Sequence, residues 1–229
     1  MEMSKQLLSK LEIFDDLNET IQHVKNDILD VKKEIAEKQI HAETTQSVEK
    51  VEPTAKKSLV VGDSLVRDFR SKDKHQQIKT LRGKGFLDVQ QYLESNDAPF
   101  QDICIVAGTN DCTSPTPITL EDTTEHFKQM LAAAKNKAEH VIVSSIPPRC
   151  DTGCSDDVLQ NITAMNLSMK DICAEENVTF IDNDLNFKYA NGDTDFDLLL
   201  DDKLHLSQKG SERLICNLGL ENTVRCFYQ

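Results

Sequence analysis

The feature that most constrains this chain is a change of period. From Ser58 onward, short apolar runs alternate with longer amphipathic stretches. The apolar runs Leu59–Val61, Ile78–Leu81, Ile103–Ala107, Val141–Ser145 and Val178–Ile181 have the length and β-branched content of buried strands. Between them, Leu65–Phe69, Leu87–Glu94, Leu120–Lys137, Asp156–Glu176 and Ser207–Leu218 read as helices. Strand and helix in repeated alternation predict an α/β domain: a parallel sheet covered on both faces. In such sheets ligands bind beyond the carboxyl ends of the strands.

The first forty residues have a different period. Leu7, Phe14, Ile21, Ile28 and Ile35 stand seven apart, and Lys10, Leu17, Val24, Val31 and Lys38 form the companion set. A seven-residue apolar repeat drifts around a straight helix unless helices supercoil, so residues 1–40 are expected to form a coiled coil that makes a homo-oligomer through residues 7–38. β-branched residues on both sets leave dimer and trimer open, and a helix lying on the domain's own surface is the competing reading. Residues 41–57 are polar, aperiodic and contain Pro53, as a linker would. The domain itself is expected over 58–229.

Charge narrows the partners. The 229 residues carry 26 Lys and Arg against 39 Asp and Glu, a net charge of −13. Both segments share the imbalance, −4 over residues 1–50 and −9 over 51–229. A chain of this sign repels polyphosphates, which disfavours nucleic-acid binding. No apolar run is long enough to span a bilayer, and no signal peptide is legible at the start, so a cytoplasmic location is expected. Seven irregularly spaced cysteines then read as free thiols. Cys150 and Cys154 would need two further convergent ligands to hold zinc, and none is evident, so no metal site is expected.

The chemistry-bearing residues stand where the strands end. The first strand runs into Gly62-Asp63-Ser64, a turn that exposes a hydroxyl and sets the serine N–H at the start of a helix. The second ends in Arg82-Gly83-Lys84-Gly85, where glycine permits a close backbone approach. The third ends in Gly108-Thr109-Asn110-Asp111. Before the last helix, Asp202 and His205 are three apart, close enough for the carboxylate to orient the imidazole. A serine needs a base to become a nucleophile, and the base needs an orienting acceptor. Ser64 and Asn110 could instead cap or turn the chain, and Asp63 is read as structural. His23, His41, His75, His126 and His140 show no ligand spacing. Arg149, after Pro147-Pro148, reads as a solvated arginine at the pocket rim.

These four blocks, in this order, resemble those of the SGNH (GDSL) hydrolases over about residues 58–220. The resemblance implies a flavodoxin-like three-layer sandwich with a five-stranded parallel sheet, and hydrolysis of carboxylic esters without metal or other cofactor. Carried over, Ser64 is the nucleophile, His205 the base and Asp202 its orienter. The Ser64 N–H, the Gly83 N–H and the Asn110 side chain form the oxyanion hole, with Gly85 the alternative to Gly83. The short polar loops 111–119 and 147–157 suggest small acyl groups. A coiled coil ahead of such a domain is similar to the first-open-reading-frame proteins of CR1/L2-type non-LTR retrotransposons, the zebrafish L2 element among them. That likeness implies an ester substrate and admits RNA or lipid as a partner of a non-enzymatic scaffold, although the acidic charge speaks against RNA.

Overall fold

The computed structural model describes residues 57–113, 119–151 and 155–227. The expected coiled coil, all of the expected linker but Lys57, and Cys154 lie outside the described residues.

Five parallel strands form the main sheet: β1 (Ser58–Gly62), β3 (Gln76–Thr80), β4 (Phe100–Val106), β5 (Ala138–Ser144) and β6 (Thr179–Ile181). Their order is β3-β1-β4-β5-β6, the flavodoxin-like arrangement expected from the sequence. The chain leaves β1 for β3 on one side, then crosses to β4 on the other. The switch point therefore lies at the carboxyl ends of β1 and β4, two residues before Ser64 and four before Asn110.

Helices α1 (Phe86–Glu94), α2 (Leu120–Lys137) and α3 (Asp156–Glu175) follow their strands. Each start is set by a local acceptor. Thr119 accepts the Asp122 N–H, Ser155 accepts the Val158 N–H, and Asp88 accepts the Gly85 N–H at 3.1 Å. One face of the sheet packs Leu59, Val61, Ile103 and Ile105 against Phe86, Phe127, Met130, Met165 and Met169. Phe86 and Phe127 meet edge to face, with centroids 5.4 Å apart. The other face packs Val60, Cys104 and Val106 under Phe187, Leu206, Leu214 and Ile215, with α5 (Gln208–Asn217) above them. Burying one such Phe or Leu contributes roughly 1.5–3 kcal/mol, so both layers are held by the alternation of side chains along each strand.

The sequence reading needs one correction here. Leu65–Phe69 is not a helix: a single 3-10 turn covers Ser64–Val66, and Phe69 opens a short strand, β2 (Phe69–Ser71). That strand pairs antiparallel with β7 (Val224–Cys226), matching Phe69 to Cys226 and Ser71 to Val224. Three-residue strands are too short to show a period, and these two pair across most of the domain's sequence. A short helix, α4 (Asn183–Asn186), follows β6.

Candidate active site

β1 delivers Ser64 to the switch point. The Asp63 N–H continues the sheet by donating to the Val106 carbonyl at 3.0 Å. The Asp63 side chain then turns inward, 1 % exposed, and Oδ1 accepts the Leu65 N–H at 2.9 Å. This carboxylate closes the 3-10 turn and fixes Ser64 as its first residue, half-buried. Burial raises the Asp63 carboxyl to about 7; the Leu65 N–H opposes this, and the nearby Asp111 carboxylate adds to it. Thr109 also lowers it, yet neither its N–H nor its hydroxyl makes a regular hydrogen bond to Oδ2, which has no partner among the described residues.

The two loops flanking Ser64 are tied to each other. The Asn110 side-chain amide donates to the Lys84 carbonyl at 2.9 Å, joining the loop after β4 to the loop after β3. Asp111 receives the Phe86 N–H on both oxygens, at 3.1 and 3.2 Å, and so caps α1. Gly83 has φ +68°, a left-handed turn suited to glycine, with open space where a side chain would begin. Gly85 is different. Its N–H is taken by Asp88, and a Cβ there would collide with the Asp111 carboxylate.

Asp202 and His205 meet in the loop before α5. Asp202 Oδ2 lies 2.7 Å from His205 Nδ1, while Oδ1 accepts the Leu204 and His205 N–H groups at 3.0 and 2.9 Å. Lys203, between them, adopts φ +56°, a conformation few non-glycine residues take. It is held by its N–H to the Leu200 carbonyl and by its own carbonyl to the Cys150 N–H. Partial burial would raise the Asp202 pKa, but the His205 ring and the two N–H groups prevail and hold it at about 2. Such a carboxylate stays ionised across the working range of most enzymes and fixes the ring with Nδ1 towards it, leaving Nε2 outside the pairing. No hydrogen bond joins Ser64 to His205 in this structure; in free enzymes such bonds commonly tighten only around substrate. The residues that carry the two, Leu65 and Val66 on one side and Leu206 on the other, share one apolar cluster.

Residues 60–213 match the model of the GDSL-like Lipase/Acylhydrolase family. The chain belongs to that family. As a GDSL-family member it is a carboxylic ester hydrolase. Similar solved structures include a lipase/acylhydrolase from Enterococcus faecalis, at 18 % identity and TM-score 0.56, covering 72 % of this chain and 94 % of that one. A GDSL-like lipase from Bacteroides thetaiotaomicron is 15 % identical with TM-score 0.59, over 80 % and 97 % of the two chains. The acetylxylan esterase Axe2 from Geobacillus stearothermophilus is 17 % identical with TM-score 0.53, over 72 % and 94 %. At these identities the likeness speaks for the GDSL fold alone. No curated protein sequence matches the chain.

Within this GDSL domain, one expectation is overturned. Arg149 is not solvated: its side chain is 9 % exposed and grips Asp151 with two hydrogen bonds, at 2.7 and 2.8 Å. The aspartate two residues on was the available signal. Burial pushes the Cys104, Cys112 and Cys173 thiols up to about 12, so these do not offer a thiolate as a rival nucleophile. Among the described residues no three His, Cys, Asp or Glu side chains converge as metal ligands, and no helix is long and apolar enough to cross a membrane. Asp111, to which the motif alone gives no role, positions the start of α1. Its signal was its place directly after Asn110, one loop away from the glycine turn.

Proposed function

We propose that the protein is a serine esterase acting on short-chain carboxylic esters through Ser64, His205 and Asp202, with the Ser64 N–H, the Gly83 N–H and the Asn110 amide as oxyanion hole. The observation that carries this reading is the 2.7 Å pairing of Asp202 with His205 Nδ1, which leaves the far ring nitrogen to act as a base. His205 Nε2 takes the Ser64 proton as Oγ attacks the ester carbonyl. The carbonyl oxygen becomes an oxyanion and meets two N–H groups and the amide. The tetrahedral intermediate collapses, His205 returns the proton to the departing alcohol, and an acyl-serine remains. Water then repeats the sequence, releasing the acid and restoring Ser64. Gly83 is favoured over Gly85 as donor because the Gly85 N–H already serves Asp88.

In the same reading, the heptads of residues 7–38 oligomerise the esterase, in the manner of a cytoplasmic protein encoded by a CR1/L2-type retrotransposon. The deciding experiment compares hydrolysis of p-nitrophenyl acetate by the wild type and Ser64→Ala. Loss of the nucleophile is expected to cost on the order of 10⁶ in kcat. Full activity in the variant would end the mechanism. Deleting residues 1–40 is expected to abolish oligomers in sedimentation while kcat is retained.

A further inference from the structure

Towards the end of the sheet opposite Ser64, four strands carry polar side chains in one row: the first residues of β1 and β3 and the third residues of β4 and β5. The parallel register matches Gln76 to Ser58, Ser58 to Asp102 and Asp102 to His140. Residues level with one another in a parallel sheet point to the same face, here the face that carries Val60, Cys104 and Ile142. Ser58 Oγ donates to Asp102 Oδ2 at 3.2 Å, and His140 Nδ1 lies 3.1 Å from Asp102 Oδ1. Gln76 is the exception. It is 7 % exposed, and its side-chain oxygen has no hydrogen-bond partner among the described residues. A buried amide oxygen left bare costs about 1–3 kcal/mol, so a row otherwise satisfied ends in one group with a standing demand for a donor.

That group borders a cavity of about 190 Å³. Its polar side is formed by Gln76, Ser58 and Asp102, and its apolar side by Cys104, Ile142 and Leu218. The far wall continues through Gly219 and Leu220, where α5 ends. There the Gly219 and Leu220 N–H groups fold back onto the Cys216 and Ile215 carbonyls, closing the ten-residue helix with its negative end towards this wall. Three features thus select for the same partner: an acceptor without a donor, a carboxylate and the carboxyl end of a helix. None of the lining side chains is cationic. The volume is comparable to the ~150 Å³ apolar cavity that accommodates benzene.

We infer that this cavity binds a small primary ammonium with a short alkyl or aryl tail, at the amino-terminal edge of the sheet and away from the Ser64 end. The ammonium donates to Gln76 Oε1 and faces Asp102, while the tail rests on Cys104, Ile142 and Leu218. A lone water could also answer Gln76, but it would not discriminate between a cation and a neutral molecule of the same shape.

The test titrates the full chain with n-butylammonium and, separately, with n-butanol at matched ionic strength, followed by calorimetry and saturation-transfer NMR. Millimolar saturable binding of the ammonium is expected, with the alcohol weaker by about ten-fold or more. Asp102→Asn and Gln76→Leu are each expected to weaken the ammonium by a similar factor, with folding verified by circular dichroism. Cys104→Leu, which fills the cavity, is expected to abolish binding of both. Equal affinity for alcohol and ammonium, unchanged affinity in Asp102→Asn or Gln76→Leu, or no binding by the wild type overturns the assignment. The wild-type comparison needs no variant, and neither it nor the binding readout depends on Ser64 chemistry.

Discussion

The Asn110 amide donates to the Lys84 carbonyl at 2.9 Å, and through that bond the loop ending β4 holds the loop ending β3. An amide has two N–H groups, and this contact uses one. The other is free to serve an oxyanion, so the residue that would stabilise the developing charge also sets the distance to the glycine turn that would share the task. Catalytic preorganisation of this kind requires donors fixed before the charge appears.

Removing that amide therefore strikes twice. Asn110→Ala is expected to lower kcat for p-nitrophenyl acetate by about 10²–10³ while KM moves little, since the lost interaction is strongest in the transition state. Steady-state kinetics measure both constants. A loss confined to KM would show that Asn110 binds the ground state instead.

Asp111 is expected to act through α1. Its two oxygens hold the Phe86 N–H, and its carboxylate occupies the space that Gly85 leaves. Asp111→Ala should cost about 1–2 kcal/mol, the range of a lost helix cap, and should lower kcat because the loop from Gly83 to Gly85 is no longer held at its Gly85–Phe86 end. Asp111→Asn keeps one acceptor and should recover most of the stability. Denaturant titration and kcat, measured on both variants, separate the two effects.

What the sequence disclosed follows from physical range. Buried parallel strands announce themselves through runs such as Ile103–Ala107, and α2 through its apolar stripe, because both signals are local and repeated. Ser64, Asn110 and the Asp202–His205 spacing were legible for the same reason: each is a short motif at a strand or helix end. The β2–β7 ribbon was hidden because three residues carry no period and the partner strand is more than a hundred residues away. The Lys203 turn was hidden because nothing in a lysine announces φ +56°; the surrounding hydrogen bonds impose it. The row from Gln76 to His140 required the register of four strands, which no single segment contains.

Asp63 gives the fold a dependence on pH. Its carboxyl lies at about 7 in the folded protein against 3.8 in an open chain, first because it is buried. Between those values the folded state holds a proton that the unfolded state has released. The stability associated with the protonated form is complete below about pH 4 and is lost as pH rises through 7. Asp63→Asn keeps an acceptor for the Leu65 N–H and cannot ionise. The difference in Tm, variant minus wild type, should therefore grow from pH 4 to pH 7, reflecting a few kcal/mol at most. Thermal melts of both proteins across that window give the answer, and parallel curves would contradict it.

Gly83 and Gly85 should fail differently. At Gly83 an alanine meets no neighbour, but φ +68° costs an L-residue roughly 1–2 kcal/mol and rotates the N–H that would face the oxyanion. At Gly85 the added methyl displaces the Asp111 carboxylate from Phe86, an overpacking defect of roughly 1–3 kcal/mol that also uncaps α1. Gly83→Ala should thus lose more in kcat than its stability loss explains, and Gly85→Ala more in stability. Pairing each with Asn110→Ala completes the argument. If Gly83 and Asn110 donate to one oxyanion, their losses in kcat should be less than additive once either is gone. Additive losses would mean that Gly83 shapes the loop and donates nothing to the transition state.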